Sequence, residues 1–400
     1  MPQPAANNKT WFLLGREPLL SAAELFSLLE IKNSRDIEYR APFLIYSGSI
    51  ENNFIGRLGG TIKTGTEIGA FFSENELLET LKNDLAGSSG KIVFGISLYS
   101  KNANARVVEN WGKKLKKELK AGGRSVRYVF NKETTLSSVT VEKNGLVRNG
   151  REFIIREDDG KFSVATTTSV QPFESFGARD FGRPGRDSES GMLPPKLALM
   201  LFNLAKLEPN ETLLDPFCGS GTIISEALLQ GHKNIIGSDL SEKAIFDSQK
   251  NIDWLKTAHP EIRNASIQIE VGDVTKIGEH IKNGSIGAIV TEPYLGKPLR
   301  GNEPEAEIQT QANELASLYT EAFGQFKKIL RPGGRVVFII PQFITRASPI
   351  VISDKFVQVA NKLGFTAEKL LPEKIFTSNF ILYRRSDQRV GREIWKFSLK

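Results

Sequence analysis

The sequence predicts two unlike folding units in tandem: an α+β region at the N-terminal end and, from about residue 193, an α/β domain built on a parallel sheet. Three observations carry this. Four hundred residues at 44.4 kDa exceed one ordinary domain of roughly 100 to 200 residues. From residue 193 onward, strand-like and helix-like segments alternate at the spacing of a parallel α/β sheet. Before residue 171 short strands and helices follow one another without that alternation.

The chain is 40% hydrophobic and 25% charged, the balance of a protein with a real core rather than a disordered one. Its longest apolar run, 197–202, falls far short of the ~18 residues of a membrane span. The first ten residues, MPQPAANNKT, lack the cationic start and apolar stretch of a signal peptide. A cytoplasmic location without membrane association is expected. With one cysteine, Cys218, and three scattered histidines, neither an intramolecular disulfide nor a Cys/His metal cage is expected.

Taken in order, TWFLLG (10–15) reads as a strand. Ser21 with Glu24 reads as a capping box opening a helix over 22–29. FLIYSG (43–48) is a strand, FIGRLGG (54–60) a helix or strand, and 76–85 a helix. A second segment opens with the strand KIVFGISLYS (91–100). In the helix 105–121 that follows, Val107, Val108, Trp111, Leu115 and Leu119 recur on one face, and Lys113, Lys114, Lys116, Lys117 and Lys120 occupy the rest. Strands SVRYVF (125–130) and LSSVTV (136–141) come next, then a hairpin REFIIRE/KFSVATT turned at Asp158, Asp159 and Gly160. The stretch 171–191, rich in Gly, Arg, Ser and Asp, reads as a linker that Phe173, Phe176, Phe181 and Pro184 can tie down. Seven strands are then expected, at 211–217, 234–240, 266–273, 286–293, 335–340, 368–371 and 379–385. The expected division is 1–90 as an α+β (ferredoxin-like) domain, 91–170 as a second small domain, 171–192 as linker and 193–400 as the α/β domain.

Charge is unevenly spread. Net charge is +7, but residues 101–151 hold 13 basic and 4 acidic residues, leaving the rest of the chain at −2. A lysine run alone is an ordinary solvated face. Arg124, Arg127, Lys143, Arg148 and Arg151 add to this one, as expected of a footprint for a polyanion. Lys113, Lys116, Lys117, Arg124 and Arg127 are the candidate residues for binding such a partner.

The chemistry concentrates in LLDPFCGSGT (213–222), a strand ending in Asp215, a turn with Gly219 and Gly221, and a helix starting near Thr222. Glycines there let the backbone approach a ligand, and the helix start offers free amides. A dinucleotide fingerprint is disfavoured because Ile224 fills its third glycine slot. Absence of a lysine after the glycines excludes a P-loop. Asp239 ends the next strand, where an acid accepts ribose hydroxyls, and Asp273 ends the third, placed to accept an adenine amine. Phe217, Leu240 and Val274 flank these positions and complete the candidate cofactor set. The fourth strand ends in TEPYLG. An acid-Pro-aromatic turn there suits work on an exocyclic amine, with oxygens accepting its hydrogens and a ring stacking on the base. Thr291, Glu292, Pro293 and Tyr294 are the candidate catalytic residues. Cys218, inside the loop, reads as packing rather than as a nucleophile.

From residue 193 the chain resembles a class I S-adenosylmethionine-dependent methyltransferase: DPFCGSGT resembles the methionine-binding loop, Asp239 the ribose acid and Asp273 the adenine acid. TEPYLG stands where such amino-methyltransferases carry Thr-Asp-Pro-Pro-Tyr-Gly. Glu292 replaces the Asp and reaches one methylene further, Tyr294 the second Pro, and Leu295 the aromatic residue. The start WFLLGREPLLSAAELFSLL resembles archaeal and eukaryotic tRNA guanosine-10 N2-methyltransferases, 91–170 is similar to a THUMP domain, and FGRPGRDSESGMLPPKLALMLFNLA is similar to the family's linker and entry helix. The resemblance implies a Rossmann-like domain with a mixed seven-stranded sheet, S-adenosylmethionine as cofactor and direct methyl transfer to N2 of a tRNA guanosine. It also implies tRNA as partner to a monomer, with room for a small activating protein. The rivals are methylation of ribosomal RNA guanine or DNA adenine, and an RNA-binding protein with a degenerate methyltransferase domain.

Overall fold

The computed structural model describes residues 9–29, 31, 35–48, 50–186, 192–346, 348–385 and 388–400. It divides into two compact units, one of Met1–Pro18 and Ile31–Phe173, the other of Leu19–Glu30 and Glu174–Lys400. Part of the expected linker, 187–191, lies outside the described residues.

The first unit is one eight-stranded sheet of order β2-β3-β1-β4-β8-β7-β5-β6. It begins with β1 (Thr10–Leu14). The chain then leaves for α1 (Pro18–Leu28) of the second unit and returns through β2 (Ile37–Arg40), β3 (Phe43–Tyr46) and β4 (Thr61–Phe71). Helix α2 (Glu74–Ala86) follows, capped by Ser73, whose Oγ accepts from Glu76 N at 3.2 Å. Then come β5 (Ile92–Tyr99), α3 (Ala105–Ala121), β6 (Val126–Val129), α4 (Ser138–Lys143), β7 (Arg151–Asp158) and β8 (Lys161–Val170). Strands from both sides of residue 90 thus share one sheet. Helix α3 buries Val108, Trp111, Leu115 and Leu119 against β5 and its neighbours, whereas Val107, expected on that face, is 37% exposed.

Two expectations need correction here, and one long strand was not foreseen. LSSVTV is not a strand: Ser137 caps α4 by accepting from Thr140 N at 3.1 Å, and that cap outweighs the β preference of Val139 and Val141. Residues 54–57 form a short 3-10 helix, the helical one of the two expected alternatives. Helix α1 starts at Pro18, which suits the first helical turn, so Ser21 and Glu24 lie inside it, buried, and open no capping box. Strand β4, eleven residues long, escaped the reading because its TIKTGTEIGAF is polar and glycine-bearing.

The second unit opens with α5 (Phe173–Phe181), so the expected linker folds in part. Arg179 donates to both oxygens of the buried Glu226, at 2.6 and 3.0 Å. Asn251 accepts from Gly185 N at 2.7 Å and donates to Gly185 O at 2.9 Å. Alternation then proceeds as expected: α6 (Pro195–Leu204), β9 (Thr212–Asp215), α7 (Thr222–Leu229), β10 (Asn234–Asp239), α8 (Glu242–Ala258), β11 (Ser266–Val271), β12 (Ile286–Thr291), α9 (Glu305–Ile329) and β13 (Leu330–Phe343). After β14 (Ile350–Val351) and α10 (Ser353–Leu363) come β15 (Phe365–Glu368), β16 (Ile381–Tyr383) and β17 (Val390–Leu399). The main path is seven strands, β11-β10-β9-β12-β13-β17-β15, with β14 beside β13 and β16 beside β17. It is mixed, parallel up to β13 and antiparallel from β17. The seventh expected strand, 379–385, is only the short β16, and the strand inserted next to β13 is the unforeseen β17; the sixth falls three residues earlier than expected. Phe323 of α9 anchors the core here, with Phe338, Phe356, Phe365 and Phe397 rings at 4.9 to 5.3 Å.

Candidate active site

The carboxyl ends of β9, β10, β11 and β12 open on one cavity of about 780 Å³, where an open parallel sheet binds its ligand. Asp215, Phe217, Gly219, Thr222, Asp239, Leu240, Asp273, Val274, Glu292, Pro293 and Tyr294 all line it. Two candidates stand back from it. Gly221 shapes the loop: its φ is +79° and an added Cβ would lie 2.4 Å from Ser248 Oγ, so only glycine suits the turn into α7. Thr291 is fully buried in β12 and donates to Asp215 Oδ1 at 2.7 Å.

Each acid has a local task. Asp239 Oδ2 accepts from Gly219 N and Oδ1 from Ser241 N, both at 2.9 Å, so it holds the cofactor loop toward the end of β10. Asp273 caps the short turn after β11, accepting from Thr275 N at 2.9 Å and Thr275 Oγ1 at 2.8 Å, and these bonds lower its pKa. Asp215 is buried, which pushes its carboxyl up to about 7 against the lowering by the bonds from Thr291 and Phe217 N. The Cys218 thiol is likewise pushed well up by burial, away from the thiolate a nucleophile needs.

At the end of β12, Glu292 meets a partner that the sequence reading missed. Arg392 of β17 also lines the cavity, and its Nε donates to Glu292 Oε1 at 2.5 Å. The signal was present in 390–399, where Ile394, Trp395, Phe397 and Leu399 mark a strand. Tyr294 is 53% exposed, and its carbonyl accepts from the buried Tyr319 hydroxyl at 2.6 Å, which fixes the turn's backbone while leaving the ring free.

The RNA-binding candidates lie on the first unit. Lys113 pairs with Glu109 at 2.7 Å one turn away, and Lys117 is exposed while Lys116 is half-buried. Arg124 is occupied by carbonyls, donating to Ala86 O at 2.7 Å and Gly90 O at 3.2 Å and to Ser88 O, so it clamps the turn after α2. Arg127 donates to Asn144 Oδ1 at 2.7 Å.

This sheet order, with three carboxylates and a glycine loop around one cavity, defines a class I methyltransferase, and its donor-seeking acids fit S-adenosylmethionine, which offers ribose hydroxyls, an exocyclic amine and an ammonium group. Bound there, the cofactor supplies an electrophilic methyl group. The described residues include no helix long and apolar enough to cross a membrane. The family model of the UPF0020, RMKL-like, methyltransferase domain matches residues 183–355. A probable tRNA (guanine(10)-N2)-dimethyltransferase of Methanothermococcus thermolithotrophicus is 30% identical over 144 residues, 36% of this chain and 78% of that protein. The tRNA (guanine(10)-N2)-dimethyltransferase of Methanothermobacter thermautotrophicus is 26% identical over 166 residues, 42% of this chain but only 43% of its own length. TrmN from Thermus thermophilus shares the fold with a TM-score of 0.54 at 16% identity, over 98% of this chain and 100% of that one. The chain belongs to the family of that Methanothermococcus tRNA (guanine(10)-N2)-dimethyltransferase.

Proposed function

We propose that the protein transfers a methyl group from S-adenosylmethionine to the exocyclic N2 amine of a guanosine in tRNA, in the cytoplasm and as a monomer. One observation carries the reading: Glu292, Pro293 and Tyr294 share a single cavity with the cofactor loop and its acids, within a domain related to a probable tRNA (guanine(10)-N2)-dimethyltransferase. In this reading Tyr294 stacks on a base flipped out of its strand. Arg392 occupies Oε1 of Glu292, which leaves Oε2 to accept an amine hydrogen. Thr291 acts through Asp215 and does not touch the amine. Asp239 holds the ribose hydroxyls and Asp273 the adenine amine, and residues 91–170 serve as the THUMP-like RNA-binding part. Transfer is a direct displacement, so positioning supplies most of the rate.

Nucleoside mass spectrometry of tRNA incubated with protein and cofactor tests the reaction, and the absence of N2-methylguanosine would reject it. Single-turnover rates with saturating cofactor test the residues. Tyr294→Ala should lose a contact worth roughly 1 to 3 kcal/mol while Tyr294→Phe retains much of the rate. Glu292→Ala should be the damaging change beside a mild Thr291→Val; the reverse order would remove Glu292 from the amine site and leave the threonine acting through Asp215.

A further inference from the structure

Outside residues 101–151 the chain carries a net charge of −2, yet RRSDQRVGR (384–392) holds four arginines against one aspartate, and KPLRGNE (297–303) holds Lys297 and Arg300 against Glu303. The fold brings these two segments to the same edge of the cavity. Tyr383 of β16 lies opposite Arg392 of β17, and Arg392 reaches the cavity to hold Glu292. Three residues earlier, Arg389 lies against Gly301: an added Cβ there would sit 2.4 Å from its Nε and 2.5 Å from its Cζ. Glycine at 301, with φ +96°, is what lets the guanidinium rest on the backbone. Ile344 N donates to Arg389 O at 2.8 Å, which ties the start of β17 in place.

Lys297, Arg300, Arg384, Arg385 and Arg389 are all exposed, and among the described residues none is paired with a carboxylate. Arg40, Arg57, Arg148, Arg151, Arg156, Arg179 and Arg331 do pair with acids. The nearby Glu303 is spent on the turn itself, accepting from Arg300 N at 2.5 Å and Gly301 N at 2.8 Å. These five cations, without a carboxylate partner among the described residues, sit on the two segments whose Pro298 and Arg392 line the cavity, and so many like charges there form an electrostatic funnel for an anion. Guanidinium forks suit phosphate oxygens.

We propose that Arg384, Arg385 and Arg389 of the β16–β17 hairpin, with Lys297 and Arg300, form a phosphate track gripping the RNA backbone beside the flipped base, in addition to any contact made by α3. This rests on the proposed function, because a base entering this cavity must bring its flanking phosphates past the same rim.

The test uses the full chain carrying Arg384→Gln, Arg385→Gln and Arg389→Gln together. Binding of tRNA is titrated at several salt concentrations, KM and kcat are measured for methylation, and cofactor affinity is measured by calorimetry. Losing three contacts should lower the slope of log affinity against log salt by about 2, at about 0.7 per single-strand phosphate. KM for tRNA should rise several-fold while cofactor affinity is unchanged. Gly301→Ala, which displaces Arg389 without removing charge, should raise KM in the same direction, and Arg389→Lys should keep the salt slope. An unchanged slope and KM in a folded triple variant would overturn the track, including the case where the rim docks a protein. Failure of the wild type to methylate tRNA would reject the function instead, and the binding slope would still decide the track.

Discussion

The acids at the strand ends differ in what surrounds them, and the differences are measurable. Asp239 both faces the cavity and holds Gly219, so Asp239→Ala should weaken S-adenosylmethionine binding by about 1.5 to 3 kcal/mol, the range for a charge-assisted hydrogen bond. Calorimetry on the folded variant checks this. Asp215 titrates differently. Its folded pKa of about 7 lies above the ordinary carboxylate value, so between about pH 4 and 7 the folded state holds a proton that the unfolded state releases, and stability falls as pH rises through that window. Asp215→Asn removes the titration. It should shrink the stability difference between pH 5 and pH 8 by about 2 to 3 kcal/mol, read from denaturant unfolding at both pH values. Asp239 and Asp273 were legible because each follows an apolar strand at a fixed offset. Arg392 was not, since its partner Glu292 is 100 residues away and only pairing of β17 with β13 brings them together.

At the scale of elements, a buried polar knot fixes the first sheet. Lys63 of β4 and Glu152 of β7 are 1% and 0% exposed and meet at 2.6 Å. Lys63 also donates to Leu136 O at 2.6 Å, Ser97 Oγ to Glu152 Oε1 at 2.6 Å and Thr167 Oγ1 to Glu152 Oε2 at 2.7 Å. Burial lowers the lysine pKa even so. Lys63→Met strands a buried carboxylate and should cost about 3 to 5 kcal/mol, and adding Glu152→Gln should recover part of it. Denaturant unfolding of the three variants would show this; a full loss in the double variant would mean the knot matters by packing alone. Such a knot explains why β4 was illegible. Its stability comes from partners on β5, β7 and β8, whereas local patterning found α3 because four apolar residues there recur at one helical spacing. Strand β17 was missed for a related reason: Glu393 and Lys396, both buried, interrupt its apolar pattern.

For the molecule as a whole, charge is partitioned by segment more finely than its total of +7 suggests. Reversing Lys113, Lys116 and Lys117 together should weaken tRNA binding and lower its salt slope by about 2 to 3, at about 0.9 per duplex phosphate, leaving cofactor affinity alone. Filter binding across a salt series reads this, and an unaltered slope would reduce the face of α3 to a solubilising surface. Arg124 and Arg127 are poorer candidates for such a variant, because their guanidiniums already serve Ala86, Gly90 and Asn144.

The detour of α1 has a consequence for how this enzyme is made and handled. Helix α1 is grouped with the methyltransferase unit, and its buried Glu24 accepts from Asn203 Nδ2 of α6 at 2.8 Å. The catalytic half is therefore not a contiguous cassette. A ribosome emits one of its helices first and nearly everything it packs with after residue 173, so that helix must wait through the synthesis of the whole first sheet. A fragment cloned from residue 174 would inherit the cofactor pocket but lose this helix, and with it the Glu24 carboxylate that accepts from Asn203. Supplying 19–30 in trans as a peptide, or rejoining it ahead of residue 174 by circular permutation, is the way to obtain the catalytic half alone.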